Sequence, residues 1–99
     1  MALDSVHNYY ERLVFNEIRE NYTDLLDSEE LADMACIALN RLEPRYIRYD
    51  IDMSFFMTPE QYLETEKNVA KACKKAYKKM LKFQETQTPD LESRSENED

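Results

Sequence analysis

Five residues in a nine-residue stretch, Asn40, Arg41, Arg45, Tyr46 and Arg48, carry the densest recognition chemistry in the chain. A guanidinium group offers a planar fork of donors that clamps a phosphate or meets the edge of a base, and it also stacks on flat rings. Tyr46 and the adjacent Tyr49 add aromatic faces, and Pro44 restricts the backbone between the arginines. A helix end accounts for Asn40 and Arg41 by themselves, because cations near the last turn complement the helix dipole and Asn tolerates unusual backbone angles. It does not account for two further arginines and two tyrosines immediately afterwards. This mixture suits a flat, phosphorylated ligand.

Other chemistries are poorly represented. The chain has no glycine, which excludes both the Walker loop and the dinucleotide-binding fingerprint, since each needs backbone without a Cβ against phosphate. Any nucleotide must be held by side chains and helix ends. The single histidine, His7, has no nucleophile or acid at informative spacing and reads as a surface or helix-start residue. Cys36 and Cys73 sit among alanines in helical patterns, without metal-ligand spacing, and read as small buried hydrophobes. Glu29, Glu30 and Asp33 are first-turn carboxylates complementing a helix dipole rather than a metal site. No catalytic residue, metal or cofactor is expected, and an enzyme is disfavoured.

The formal charge of −8 is unevenly spread. From Gln84 onward, Glu85, Asp90, Glu92, Glu96, Glu98 and Asp99 face only Arg94, so about −5 belongs to the tail and about −3 to the body. Nonspecific nucleic-acid binding, which depends on net cationic contact with a line of phosphates, is disfavoured, whereas a local basic pocket for a small anion is not. No apolar stretch approaches the roughly 20 residues that span a bilayer, and the first residues do not resemble a leader, which predicts a cytoplasmic protein.

The elements that must position the arginines follow from periodicity. Val6, Tyr10, Leu13, Val14, Ile18, Tyr22 and Leu25 recur at spacings of three and four, predicting a helix over 4–26. Asp27 and Glu30 stand at capping-box spacing before Leu31, Met34, Ala35, Ala38, Leu39 and Leu42, a second and central helix that must end near Arg41 or Leu42 because Pro44 disfavours helical angles at Glu43. Residues 46–52 alternate in part and read as an extended segment or short edge strand, and 53–57 as an apolar turn packed on the helices. Thr58, Pro59 and Gln61 open a third helix to about Phe83, with Leu63, Val69, Ala70, Ala72, Cys73, Ala76, Tyr77, Met80 and Leu81 on one face. The expected fold is all-α or nearly so: a compact domain of three to four helices over 1–83 with a short extended segment after the second helix, then an acidic disordered tail over 84–99. A domain this small often gains stability by pairing, so a homodimer is expected.

Asn8 and Glu11 in the first helix, then the run from Asp33 to Tyr46 with its Ala-Leu-Asn-Arg-Leu-x-Pro-x-Tyr core, then Asp52, Phe55 and Phe56, resemble the late-competence ComFB family of small bacterial proteins. The resemblance covers Val6 to about Ala76 and excludes the tail. It implies a homodimeric, mainly helical receptor for a cyclic dinucleotide, cyclic di-GMP or cyclic di-AMP, that is not an enzyme. By position it makes Asn40, Arg41, Arg45 and Tyr46 the ligand corner, with Asn8 and Glu11 facing it. Guanidinium groups of Arg41 and of Arg45 or Arg48 would then meet the phosphates or a guanine edge, with Tyr46 stacked on a base. In the same reading Glu11 accepts from guanine N1–H and N2–H, and Asn8 bonds a base edge. Arginine's match to guanine O6 and N7 favours cyclic di-GMP. Glu43 stands where relatives often have a first proline, so its carboxylate is expected to point away from a phosphate. Some relatives carry cysteine clusters suited to zinc; Cys36 and Cys73 lack that pattern, and no structural zinc is expected.

Lys67, Lys71, Lys74, Lys75, Lys78, Lys79 and Lys82 line the opposite face of the third helix. A solvated surface is the ordinary meaning of such a run, and docking of an acidic partner, DNA or the chain's own tail is the alternative. Two rivals to the receptor reading follow: a protein-interaction module in competence or type IV pilus function that grips an acidic peptide without nucleotide, and a small DNA-binding regulator using the lysine face. The downstream protein partner is not identified by the sequence.

Overall fold

The computed structural model describes residues 2–51, 53 and 57–85. The predicted disordered tail lies outside these residues apart from its first two positions, as do Asp52, Phe55 and Phe56. A short 3-10 turn, Ala2–Ser5, leads into strand β1 (His7–Asn8), helix α1 (Tyr10–Asn21), helix α2 (Ser28–Asn40), strand β2 (Tyr46–Ile47) and helix α3 (Pro59–Glu85). The chain is mostly helical, with one antiparallel two-stranded sheet pairing His7 with Ile47 and Asn8 with Tyr46. Residues 50, 51 and 53 are also helical.

Both capping boxes form. Asp27 Oδ1 accepts from the Glu30 amide at 2.8 Å while Glu30 Oε1 accepts from the Asp27 amide at 2.9 Å, satisfying donors that a helix start leaves unpaired. Thr58 and Gln61 repeat the exchange at 3.1 and 3.0 Å. At its other end α2 closes on Arg41, whose amide donates to the Ala38 carbonyl at 3.0 Å, before Pro44.

The first helix is shorter than its periodicity predicts. Val6 is 46% exposed instead of core-facing, and the helix begins only at Tyr10. The cause is Asn8, whose Oδ1 accepts from the Tyr10 amide at 3.2 Å and thereby turns the chain from strand to helix.

One core joins all three helices: Val14 and Ile18 from α1, Leu26 from the connection, Met34, Ala35 and Ala38 from α2, and Val69, Ala72, Cys73, Ala76 and Met80 from α3. Met34, Val14 and Cys73 are fully buried. The facing alanines and Cys73 bring the α2 and α3 backbones close, and Gln84 Nε2 donates to Glu30 Oε2 at 2.9 Å, tying the end of α3 to the start of α2. Leu63, expected on the buried face, is 64% exposed. At about 1.5 Å per residue, α3 is roughly twice the length of α2, so its first turns extend past the partner that buries the rest.

The cysteines divide. Cys73 is buried as expected, and burial, with a smaller contribution from the charge of Glu17, pushes its thiol pKa up to about 12. Cys36 is exposed, contrary to the expectation of a buried hydrophobe, because α2 packs with Met34, Ala35 and Ala38 and turns Cys36 outward. A thiol reagent at neutral pH is therefore expected to label one cysteine of the native chain, Cys36, with Cys73 reacting only on unfolding. Peptide mapping after labelling checks this; equal labelling would contradict the packing.

Candidate ligand-binding site

Three devices, two local in sequence and one that joins distant segments, converge on the corner where α2 ends. Its last turn presents Arg41, with the Leu42 amide donating to Leu39 at 3.2 Å. Pro44 then delivers the chain to β2, and the Asn8 carboxamide joins β2 to α1. Asn8 Oδ1, which accepts from Tyr10, also accepts from the Arg45 amide at 3.0 Å, and the Tyr9 amide donates to the Arg45 carbonyl at 2.7 Å. Asn8 is only 8% exposed. Its oxygen is thus spent on holding the corner together.

A recess of about 390 Å³ opens beside this joint, lined by Tyr10, Arg41, Leu42, Glu43, Asn68, Lys71, Ala72 and Lys75. Arg41, Lys71 and Lys75 place three cations there against the single carboxylate of Glu43. Glu43, whose carboxylate is expected to point away from a phosphate, is among the residues that line the recess, and its charge offsets one of the three cations. The volume sits at the low end of small-molecule sites, so a ligand of two nucleotides must extend beyond it.

The remaining sequence-selected residues do not line this recess. Arg45 and Tyr46 are exposed on the adjoining strand segment, Tyr46 at 67%. Asn40 is exposed on the last turn of α2. Glu11 is half-buried in the first turn of α1, near enough to His7 to favour its charged form. Arg48 turns the other way: its Nε donates to Ser5 Oγ at 3.1 Å, its Nη2 donates to Tyr49 Oη at 3.2 Å, and its guanidinium lies 5.0 Å from the Tyr49 ring centroid.

Asn68, Lys71 and Lys75 do not stand out in the sequence as ligand residues. The usable signal was their spacing of three and four, which puts them on one edge of α3 within the lysine run. That edge meets the end of α2, so two features read separately in the sequence share one surface.

A larger concavity, about 1270 Å³, lies between α1 and the first half of α3. Glu17, Glu20, Asp50, Glu60, Glu64 and Glu66 outnumber Arg12 and Lys67 around it, a field that repels phosphate. The smaller basic recess is therefore the candidate anion site. Among the described residues, no three His, Cys, Asp or Glu side chains are grouped to hold a metal ion, and no helix is long and apolar enough to cross a membrane.

A small helical domain with a cationic corner at a helix C-terminus is the class of protein that this fold and site define. The family described as late competence development protein ComFB matches residues 7–84, and the chain belongs to that family. The match spans the body from β1 almost to the end of α3. Comparison with curated proteins and comparison with solved structures each give no significant match.

Proposed function

We propose that this chain is a cyclic-dinucleotide receptor, with cyclic di-GMP the favoured ligand, acting as a non-enzymatic signalling adaptor. The observation that supports this best is the recess in which Arg41, Lys71 and Lys75 converge beside Tyr10, next to the exposed Arg45 and Tyr46. A phosphodiester there gains charge-assisted bonds, a base finds tyrosine faces at either side, and guanine offers O6 and N7 to an arginine fork. Asn8 acts by holding β2 against α1, which makes it a positioning residue in this reading and not a contact to the base. Membership of the ComFB family, whose resemblance implies a cyclic-dinucleotide receptor, is consistent with it.

The adaptor role requires a second protein whose affinity differs between the free and occupied states. The receptor works as a homodimer in this reading, and a ligand larger than the recess engages the partner subunit or the segment around Tyr46.

Isothermal titration calorimetry of the purified chain with cyclic di-GMP and cyclic di-AMP, with GTP and ATP as controls, tests the proposal. Micromolar or tighter binding of cyclic di-GMP, with little heat from the linear nucleotides, is the expected outcome. No heat from either cyclic nucleotide overturns the receptor reading.

A further inference from the structure

His7 lies outside the recess, on the strand that pairs with the arginine segment. Its Nδ1 is 2.8 Å from the Ser5 carbonyl oxygen and its Nε2 is 2.7 Å from Asp50 Oδ1. Asp50 Oδ2 accepts in turn from Arg12 Nε at 2.8 Å. A carbonyl has no proton to give, and a carboxylate between two donors has none either. Both ring nitrogens must therefore donate, and only the imidazolium carries both protons. A neutral ring keeps one bond and turns a lone pair toward an oxygen at the other.

The charged groups around the ring reinforce this state. Asp50 faces it from the segment after β2, Glu11 adds negative charge from α1, and Arg12 on α1 acts through the far oxygen of Asp50. Arg48 bonds the hydroxyl of Ser5, the residue whose carbonyl His7 also meets.

We infer that protonated His7 is a positioning residue for the arginine corner, pinning the Asp50 end of residues 45–50 to the first strand while Asn8 and Tyr9 hold the Arg45 end, so that ligand affinity depends on pH. The statement about ligand rests on the receptor reading; the statement about the pin does not. The hydrogen bond to Asp50 chiefly, and that to Ser5 next, raise the His7 pKa above its ordinary 6.5. The same hydrogen bond, with Arg12, holds the Asp50 carboxyl below its ordinary 3.8. A raised histidine stabilises fully below its unfolded value and loses that contribution as pH climbs through the raised value. A lowered carboxylate contributes above its unfolded value and is lost as pH falls through the lowered one. The pin is thus complete between the ordinary carboxylate value of 3.8 and the ordinary histidine value of 6.5, and is released as pH climbs through the raised His7 value.

The chain has one histidine, so its ring signals need no assignment. NMR titration is expected to give a His7 midpoint above 6.5, returning to or below 6.5 in Asp50→Asn, with the amides of residues 45–49 shifting at the same midpoint as His7. Calorimetry with cyclic di-GMP should show affinity falling several-fold across that midpoint, and His7→Gln should remove the pH dependence while circular dichroism shows the helices intact. A His7 midpoint at or below 6.5, one unchanged by Asp50→Asn, or amides that ignore it, overturns the pin. Pin behaviour with pH-independent affinity overturns the coupling to ligand. Pin behaviour with no nucleotide bound at any pH leaves the pin standing and overturns the receptor reading.

Discussion

Replacing Arg41 with alanine is expected to weaken cyclic di-GMP binding by about ten- to a hundredfold, since a hydrogen bond to a charged group is worth about 1.5–3 kcal/mol and each 1.4 kcal/mol is roughly tenfold. The fold should not notice the change. The Arg41 side chain is exposed, and the bond that closes α2 is made by its backbone amide, which alanine retains. Thermal unfolding without ligand should therefore match the parent chain, while the ligand-induced rise in Tm shrinks. Tyr46→Ala is the companion variant, because Tyr46 is too exposed to support the core, and loss of one base-stacking face is worth about 1–3 kcal/mol. Lys71→Ala removes a more flexible point charge and should have a smaller effect than Arg41→Ala. Parent-like calorimetry for both Arg41→Ala and Tyr46→Ala would mean that the corner is not the site, and the acidic-peptide reading would take its place.

Met34→Ala should produce the largest loss of stability. The side chain has no exposed surface, and it lies where α2 meets both other helices. Large-to-small substitution at such a position costs about 2–5 kcal/mol through lost transfer energy and the cavity left behind. Against about 5–15 kcal/mol for a typical domain, and about 4–8 °C in Tm per kcal/mol at this size, the midpoint should fall by on the order of 10–30 °C. Urea unfolding should show a lower midpoint with little change in slope. Ile51→Ala provides the contrast: at 61% exposure Ile51 should cost the isolated chain under about 0.5 kcal/mol. If Met34→Ala is as mild as Ile51→Ala, α2 is not the centre of the core.

The parts of this fold that the sequence makes legible are those governed by residues three or four apart. Asp27 with Glu30 and Thr58 with Gln61 define helix starts because the box is local chemistry, and the stop near Arg41 follows from Pro44. The start of α1 was not legible in the same way. Val6 and Tyr10 have helical spacing, but the backbone there is captured by residues about 40 positions away, through Ile47 against His7 and Arg45 on Asn8. Cys36 and Leu63 show a related limit: periodicity identifies a face, and only packing shows how much of that face another helix covers.

The candidate site divides along the same line. Arg41 is in the recess, and Arg45 and Tyr46 adjoin it because they are neighbours in sequence. Lys71 and Lys75 reach it by tertiary packing and looked like ordinary solvated lysines. Arg48 shares the sequence neighbourhood but faces Ser5 and Tyr49, since the short strand and the turn after it reverse its direction. His7 reads as a surface residue in the sequence because its partner Asp50 is 43 positions away.

The recess meets α3 between Asn68 and Lys75, near the middle of a helix that runs unbroken from Pro59 to Glu85. That helix is a rigid beam with its load applied close to the fulcrum. With a rise of about 1.5 Å per residue, a tilt of about 10° around Lys71 moves the Pro59 end by roughly 3 Å and swings the opposite end, where Gln84 touches Glu30, in the contrary direction. On the receptor reading proposed above, a ligand that tilted the helix by a fraction of that angle would be felt at two distant surfaces at once, by leverage alone.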